Sequence, residues 1–170
     1  MKVLKFGGAS VKDAAAVRNV AAILEQHRKD QLVVVISAMG KTTNALERVV
    51  KAFVVNDPSL ADHLAFVRDF HHGIMDDLGF GKEDPVRDQV NNRFVEIDWV
   101  LEGGSGKPFN WTYDQIVCMG ELLSTRIVSA YLNENGLANT WLDARDLILT
   151  DNTYREGKIN WQETEQLIRH

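Results

Sequence analysis

Lys5-Phe6-Gly7-Gly8-Ala9-Ser10 follows a short apolar stretch, Val3-Leu4, and leads into a segment with helical periodicity. Strand, paired glycines, helix: this order decides the fold class. Glycine lacks a Cβ, so the backbone at positions 7 and 8 can approach a ligand closely. The free N–H groups and the dipole of a helix's first turn favour anions. Lys5 adds a full positive charge at the strand end. The arrangement suits a phosphate. A tight strand-to-helix turn without a ligand would use the same two glycines, and both readings stand at this point.

Two better-known phosphate motifs are absent. A dinucleotide fingerprint requires G-x-G-x-x-G, but Gly7 and Gly8 are adjacent and Ala9 and Ser10 follow. The second strand ends in Ser37 rather than in a ribose-binding acid. Gly40-Lys41-Thr42 resembles the end of a P-loop, which needs a glycine five residues earlier; position 35 is Val35.

Around the glycine turn the chain reads as a βαβ unit. Strand one covers about 2–6. Ser10 is the expected N-cap of a helix over 11–27, with Asp13 three residues on, and Val17, Val20, Ala21 and Leu24 form its buried stripe. Leu32-Val33-Val34-Val35-Ile36 is an unbroken apolar run. Such runs read as central parallel strands covered on both faces, joined here by a right-handed crossover. The loop 37–44 then lies at a strand's C-terminal end, where open α/β sheets bind ligands.

A helical excursion follows, expected as a lid or subdomain over about 45–106. One helix carries Leu46, Val49, Val50 and Phe53 and is broken by Asp57-Pro58. A second spans 59–78. A third starts at Pro85, with Asp84 as N-cap, and its stripe runs Val86, Val90, Phe94, Ile97, Leu101. Gly103-Gly104-Ser105-Gly106 ends it. Beyond Pro108 comes a helix containing Gly120-Glu121, with Leu123, Ile127, Ala130 and Tyr131 inward and Gly136 as C-cap residue. Thr140-Trp141-Leu142 reads as a third strand, and Leu147-Ile148-Leu149 as a short one. Asn160 and Glu163 have capping-box spacing. The stripe they begin, Trp161, Thr164, Leu167 and Ile168, runs to His170 without a C-cap, so the chain is expected to be a piece of a longer protein.

Composition narrows the function. The 170 residues carry 45% hydrophobic and 25% charged side chains, the proportions of a globular protein with a real core. A net charge of −5 argues against nucleic acid as main partner. No run approaches 18 apolar residues, so no membrane span is expected, and Met1-Lys2 leads straight into the first strand rather than into a signal peptide. One cysteine, Cys118, excludes an internal disulfide and fits a reducing cytosol; it reads as a buried thiol. His63, His71 and His72 with Asp69 and Asp76 lie on one helix, but they read as a solvated, mixed-charge surface rather than a convergent metal site. The four tryptophans read as core or edge aromatics.

Taken together, Lys5 to Ser10, the run Ser37-Ala38-Met39-Gly40-Lys41-Thr42-Thr43-Asn44, and Gly120-Glu121-Leu122-Leu123-Ser124 resemble the amino-acid kinase family, and within it the aspartate kinases. Asp143-Ala144-Arg145-Asp146 looks like this family too. The resemblance covers the whole chain but only the N-terminal part of such a kinase domain. It implies an α/β fold, a mainly parallel sheet between helical layers. It implies transfer of the γ-phosphoryl of ATP, with Mg2+, onto the side-chain carboxylate of L-aspartate, ahead of lysine, threonine and methionine synthesis. The family pattern would put Lys5 in the catalytic role, Lys5, Phe6, Gly7, Gly8 and Ser10 on the phosphates, Ser37 and Thr43 on the amino acid, and Glu121 on its α-ammonium. Ala9 stands where the family usually has threonine, so one hydroxyl contact is lost. Lys41 lies in the substrate loop and reads as a solvated surface charge, with a second phosphate ligand as the alternative. The family's catalytic aspartate, substrate-binding arginine, base pocket and regulatory domains belong to later sequence, so these 170 residues alone are expected to be inactive. A homo-oligomer is the expected assembly. Another small acid as substrate, or a non-catalytic oligomerisation or regulatory module, are the alternatives.

Overall fold

The computed structural model describes residues 1–104 and 106–169. Ser105 in the expected glycine-rich stop and the chain end at His170 lie outside the described residues. Two strands, β1 (Lys2–Phe6) and β2 (Leu32–Ile36), pair in parallel, with Lys2 opposite Leu32 and Phe6 opposite Ile36. The helix α1 (Ala14–Glu25) crosses between them. Then follow α2 (Thr42–Val54), α3 (Leu60–Leu78), α4 (Pro85–Glu102), α5 (Phe109–Val117), α6 (Met119–Glu134) and α7 (Trp161–Arg169).

The start of α1 departs from expectation. Ser10 does not cap it. Gly8–Val11 forms a 3₁₀ turn, and the Ser10 N–H donates to the Gly7 carbonyl at 2.8 Å. Asp13, in extended backbone, caps α1 instead: its carboxylate accepts from the Ala16 N–H at 2.8 Å. The 3₁₀ turn takes up Ser10, so α1 starts later and Asp13 holds the cap position, where its charge also complements the helix dipole.

The helical excursion is no separate lid. Leu46, Val49, Val50, Val67, Met75, Val90, Phe94 and Ile97 join Val17, Val20, Leu123 and Ile127 in one hydrophobic cluster. The apolar stripes of α2, α3 and α4 are the largest part of the core, and burying each large side chain contributes about 1.5–3 kcal/mol.

Among the described residues, the helices pack on one face of the two strands. Leu4, Phe6, Val34 and Ile36 face the helices, while Val3, Val33 and Val35 are 63%, 43% and 43% exposed. Within residues 1–170 the helices cover one face of the strands. Thr140-Trp141-Leu142 is not a strand. Side chains tie this segment to α6: the Trp141 indole N–H donates to Thr125 Oγ1 at 2.9 Å, and the Asn139 N–H donates to Asn133 Oδ1 at 2.9 Å. Leu147-Ile148-Leu149 makes no ladder either; a single antiparallel bridge joins Thr150 to Ile159 beyond it. Trp99 and Trp161 are exposed rather than packed, and in α7 Thr164 is the buried member of the expected stripe.

His71 on α3 also departs from the solvated surface read in the sequence. It is fully buried, its Nδ1–H donates to the Val67 carbonyl at 2.7 Å, and its Nε2 has no partner. Burial pushes the imidazole down to about 4 from its ordinary 6.5. Between these values the unfolded chain takes up a proton that the folded one refuses, so stability present above pH 6.5 is lost as pH falls towards 4. The full loss is on the order of 3 kcal/mol. Denaturant unfolding from pH 7 to 4 should show this slope in the wild type and a shallower one in His71→Leu.

Candidate functional site

Three glycines bring three distant segments into contact at the carboxyl end of the sheet. A Cβ on Gly8 would lie 2.7 Å from the Ala38 carbonyl oxygen and 2.9 Å from that of Gly40. The Gly40 N–H donates to the Gly8 carbonyl at 3.0 Å. The turn after β1 and the turn after β2 are therefore pressed backbone to backbone. Gly40 itself has φ +54°, in the region that favours glycine. Its open side faces the backbone of Lys12 and the ring of Phe70, 3.8 Å and 3.6 Å from an ideal Cβ. At the start of α6, a Cβ on Gly120 would meet Ala38 Cβ at 3.1 Å, Thr42 Cγ2 at 3.2 Å and Leu46 Cδ1 at 3.3 Å. That contact seats α6 against the loop after β2 and the first turn of α2.

This packing gathers most of the residues the sequence pointed to. Phe6 is buried, and its carbonyl accepts from the Ser37 N–H at 3.0 Å, extending the ladder by one bond. Gly7 has open space around it, so ligand atoms can come close to its backbone. Ser37 and Thr43 are half-buried, Thr43 in the first turn of α2. Thr42 is buried, its hydroxyl donating to the Met39 carbonyl at 2.7 Å. No side chain caps α2, and among the described residues the N–H groups of Thr43 and Asn44 have no backbone partner. Glu121, half-buried, stands in the first turn of α6 beside Gly120.

Two residues sit differently from the simplest expectation. Strand alternation sends Phe6 into the core and leaves Lys5 exposed on the open sheet face, with Val3, Val33 and Val35. Ser10 is exposed, its N–H already spent on Gly7. The dipole of α1 is not open to an anion, because Asp13 occupies its N-terminus.

Sequence reasoning gave no role to Gly40 or to Gly120. The signal was present, since both lie inside the quoted motifs, but steric need shows only once the partner segments are known. It also missed how strongly Asp143 is held. Burial opposes its ionisation, yet hydrogen bonds and charge from Arg145 outweigh this and keep the carboxyl below its ordinary range. Arg145 also reaches Glu96 on α4 at 3.6 Å, linking this corner to the helical body. Burial pushes the Cys118 thiol up to about 11, so it is protonated at neutral pH and no nucleophile.

The fold is α/β, and three sequence motifs meet at the carboxyl ends of its parallel strands. The chain belongs to the amino acid kinase family, whose sequence profile matches residues 1–170. It is 36% identical over 158 residues to Aspartokinase 2, chloroplastic, of Arabidopsis thaliana, a match covering 88% of this chain and 28% of that protein. It is 30% identical over 148 residues to the bifunctional aspartokinase/homoserine dehydrogenase 2 of Escherichia coli, covering 85% of this chain and 18% of that one. E. coli aspartokinase III, solved in complex with aspartate and ADP, superposes with a TM-score of 0.85 at 24% identity, over 98% of this chain and 36% of that one. The fold is thus the amino-acid kinase fold. The chain spans between about a sixth and a third of the curated relatives it matches.

The glycine contacts separate packing from ligand access. Gly8→Ala forces backbone oxygens apart and should cost about 1–3 kcal/mol. Gly7→Ala meets nothing within 4 Å and should leave stability within about 0.5 kcal/mol. Denaturant melts of the two variants read the difference directly.

Proposed function

We propose that this chain is the N-terminal part of the kinase domain of an aspartate kinase. The observation that carries the reading is the convergence of Gly8, Gly40 and Gly120, which joins the three motif segments into one site. Support comes from the named aspartokinases to which the chain is similar.

The reaction moves the γ-phosphoryl of ATP to L-aspartate. A side-chain carboxylate oxygen attacks Pγ, the bond from Pγ to the bridging oxygen of ADP breaks, and 4-phospho-L-aspartate leaves with ADP. This is the entry step to lysine, threonine and methionine. Catalysis of such a transfer is mostly positioning and neutralisation of charge. Lys5 suits the second task as a mobile point charge. The backbone at Gly7 and Gly8 receives phosphate oxygens without side-chain obstruction, with Phe6 fixing the turn from below and Ser10 closing it. The Ser37 and Thr43 hydroxyls donate to the substrate's carboxylate, aided by the unbonded N–H groups that open α2. Glu121 takes the α-ammonium in a charge-assisted bond. Mg2+, when bound with ATP, would offset the charge of its phosphates.

We infer that the remaining machinery, including the base pocket, comes from sequence outside residues 1–170, and that these residues alone do not turn over. We propose a homo-oligomeric enzyme, and the single thiol fits a reducing compartment such as the cytosol. No described helix is long and apolar enough to cross a membrane.

Hydroxylamine trapping of acyl phosphate tests the reading. The protein in its complete reading frame should give hydroxamate from L-aspartate and not from L-glutamate or acetylglutamate. Product from another acid would move the substrate, and product from none would favour a non-catalytic module. In the active protein, Glu121→Gln should raise KM for aspartate about 10–100-fold, the value of a hydrogen bond to a charged group, with a smaller change in kcat. An unchanged KM would remove Glu121 from the substrate site.

A further inference from the structure

Residues 150–159 fold back on themselves as a hairpin that stands outside the core. Thr150 bridges to Ile159, and the Asp151 N–H donates to the Lys158 carbonyl at 3.0 Å. Asp151 Oδ1 accepts from the N–H groups of Thr153 and Lys158, each at 3.0 Å. Tyr154 is half-buried and the rest of the hairpin is exposed. Among the described residues, one hydrogen bond joins this hairpin to the rest of the chain: the Arg155 N–H donates to Asp114 Oδ2 on α5 at 2.7 Å. The Arg155 guanidinium carbon also lies 4.4 Å from the centre of the Tyr113 ring, on the same helix. Arg155 reaches both with φ +69°, a conformation that residues with a Cβ rarely adopt. Such a conformation persists where contacts over-determine it, and here the contacts are those to α5.

What is tied at α5 bears on the site. α5 and α6 meet at one residue, Cys118, itself helical at φ −60° and ψ −21°, so no flexible loop separates them. The Cys118 thiol donates to the Gln115 carbonyl at 3.5 Å, and the Cys118 carbonyl accepts from the Leu122 N–H at 3.4 Å. These bonds fasten the last turn of α5, which carries Asp114, to the first turn of α6, which carries Glu121. We infer that the hairpin is a strap: Arg155, held by Asp114 and Tyr113, fixes the end of α5 and through it the position of Glu121. Asp114 and Arg155 are positioning residues, which act through the helix pair rather than on the reacting atoms. The consequence for the substrate rests on the aspartate kinase reading; the tie itself does not.

The test uses the complete reading frame and compares wild type with Asp114→Ala, Asp114→Asn and Arg155→Gly. Backbone amide exchange is measured beside KM and kcat. Alanine favours a helix, so α5 itself survives the first change. Asp114→Ala should speed exchange about 5-fold or more in residues 150–159 and also in residues 116–124. It should raise KM for L-aspartate about 3–10-fold, with kcat within about twofold. Asp114→Asn keeps an acceptor oxygen for the Arg155 N–H and should restore both readings. Arg155→Gly keeps the N–H and suits the positive φ, so it should fall between wild type and Asp114→Ala. A larger loss in Arg155→Gly than in Asp114→Ala overturns the N–H as the tie. Faster exchange confined to 150–159 overturns the strap, and so does a KM that Asp114→Ala leaves unchanged. If exchange spreads to 116–124 while no acid yields hydroxamate in any of the proteins, the strap stands and the substrate reading fails.

Discussion

One contact organises this structure: the turn after β1 touches the turn after β2 through bare backbone. The Gly40 N–H reaches the Gly8 carbonyl, and the space a methyl group would need at Gly8 is filled by carbonyl oxygens of residues 38 and 40. Such an approach excludes every residue except glycine at position 8. It also fixes how far the two strands run before they release their loops. Parallel pairing alone aligns Phe6 with Ile36; the glycine contact carries that alignment past the sheet's edge and into the site. The side chains of Ala38, Thr42 and Leu46 then meet Gly120, so α6 enters at a set height and Glu121 comes with it.

The helical body serves this arrangement from below. α2 starts at the site and ends in the core, with Leu46, Val49 and Val50 fully buried. Its partners α3, α4, α5 and α6 bury their stripes in the same cluster. Phe70 connects the two regions: its ring lies against Gly40 on one side and edge-on to His71, with centroids 5.2 Å apart, on the other. The loop after β2 is thus braced by a partly buried aromatic that packs against the core. A loop so braced keeps Ser37 and Thr43 in place without side-chain bonds between them.

Much of this was legible in the sequence where local chemistry decides. The two strands, the crossover helix and the helices after Asp57-Pro58 and at Pro85 follow from apolar period and breakers, and the structure has them. Readings failed where a distant partner decides. Ser10 is a good cap by type, but the 3₁₀ turn that lets Gly8 meet Gly40 absorbs it, and Asp13 takes over. Thr140-Trp141-Leu142 has strand composition, but Arg126 stacks 3.3 Å from the Trp141 ring and Thr125 binds its indole, so α6 claims the segment. His71 looked polar among polar neighbours, yet it falls on the inward side of α3, four residues after Val67 and three before Ile74. At the site, residue types were readable as candidates, whereas the steric role of Gly40 and Gly120 was not, because a glycine's necessity is a property of what it faces.

The open face of the sheet gives Lys5 a second consequence. Val3, Val33 and Val35 form a flat β-branched strip, and Lys5 stands among them opposite Val35. Strips of this kind stack readily on their own copies, and a charge set into one is a common natural safeguard. Two such faces brought together would bury ammonium against hydrocarbon, at a desolvation cost no valine contact offsets. Lys5 thus sets a charge into the β-branched strip that these residues present.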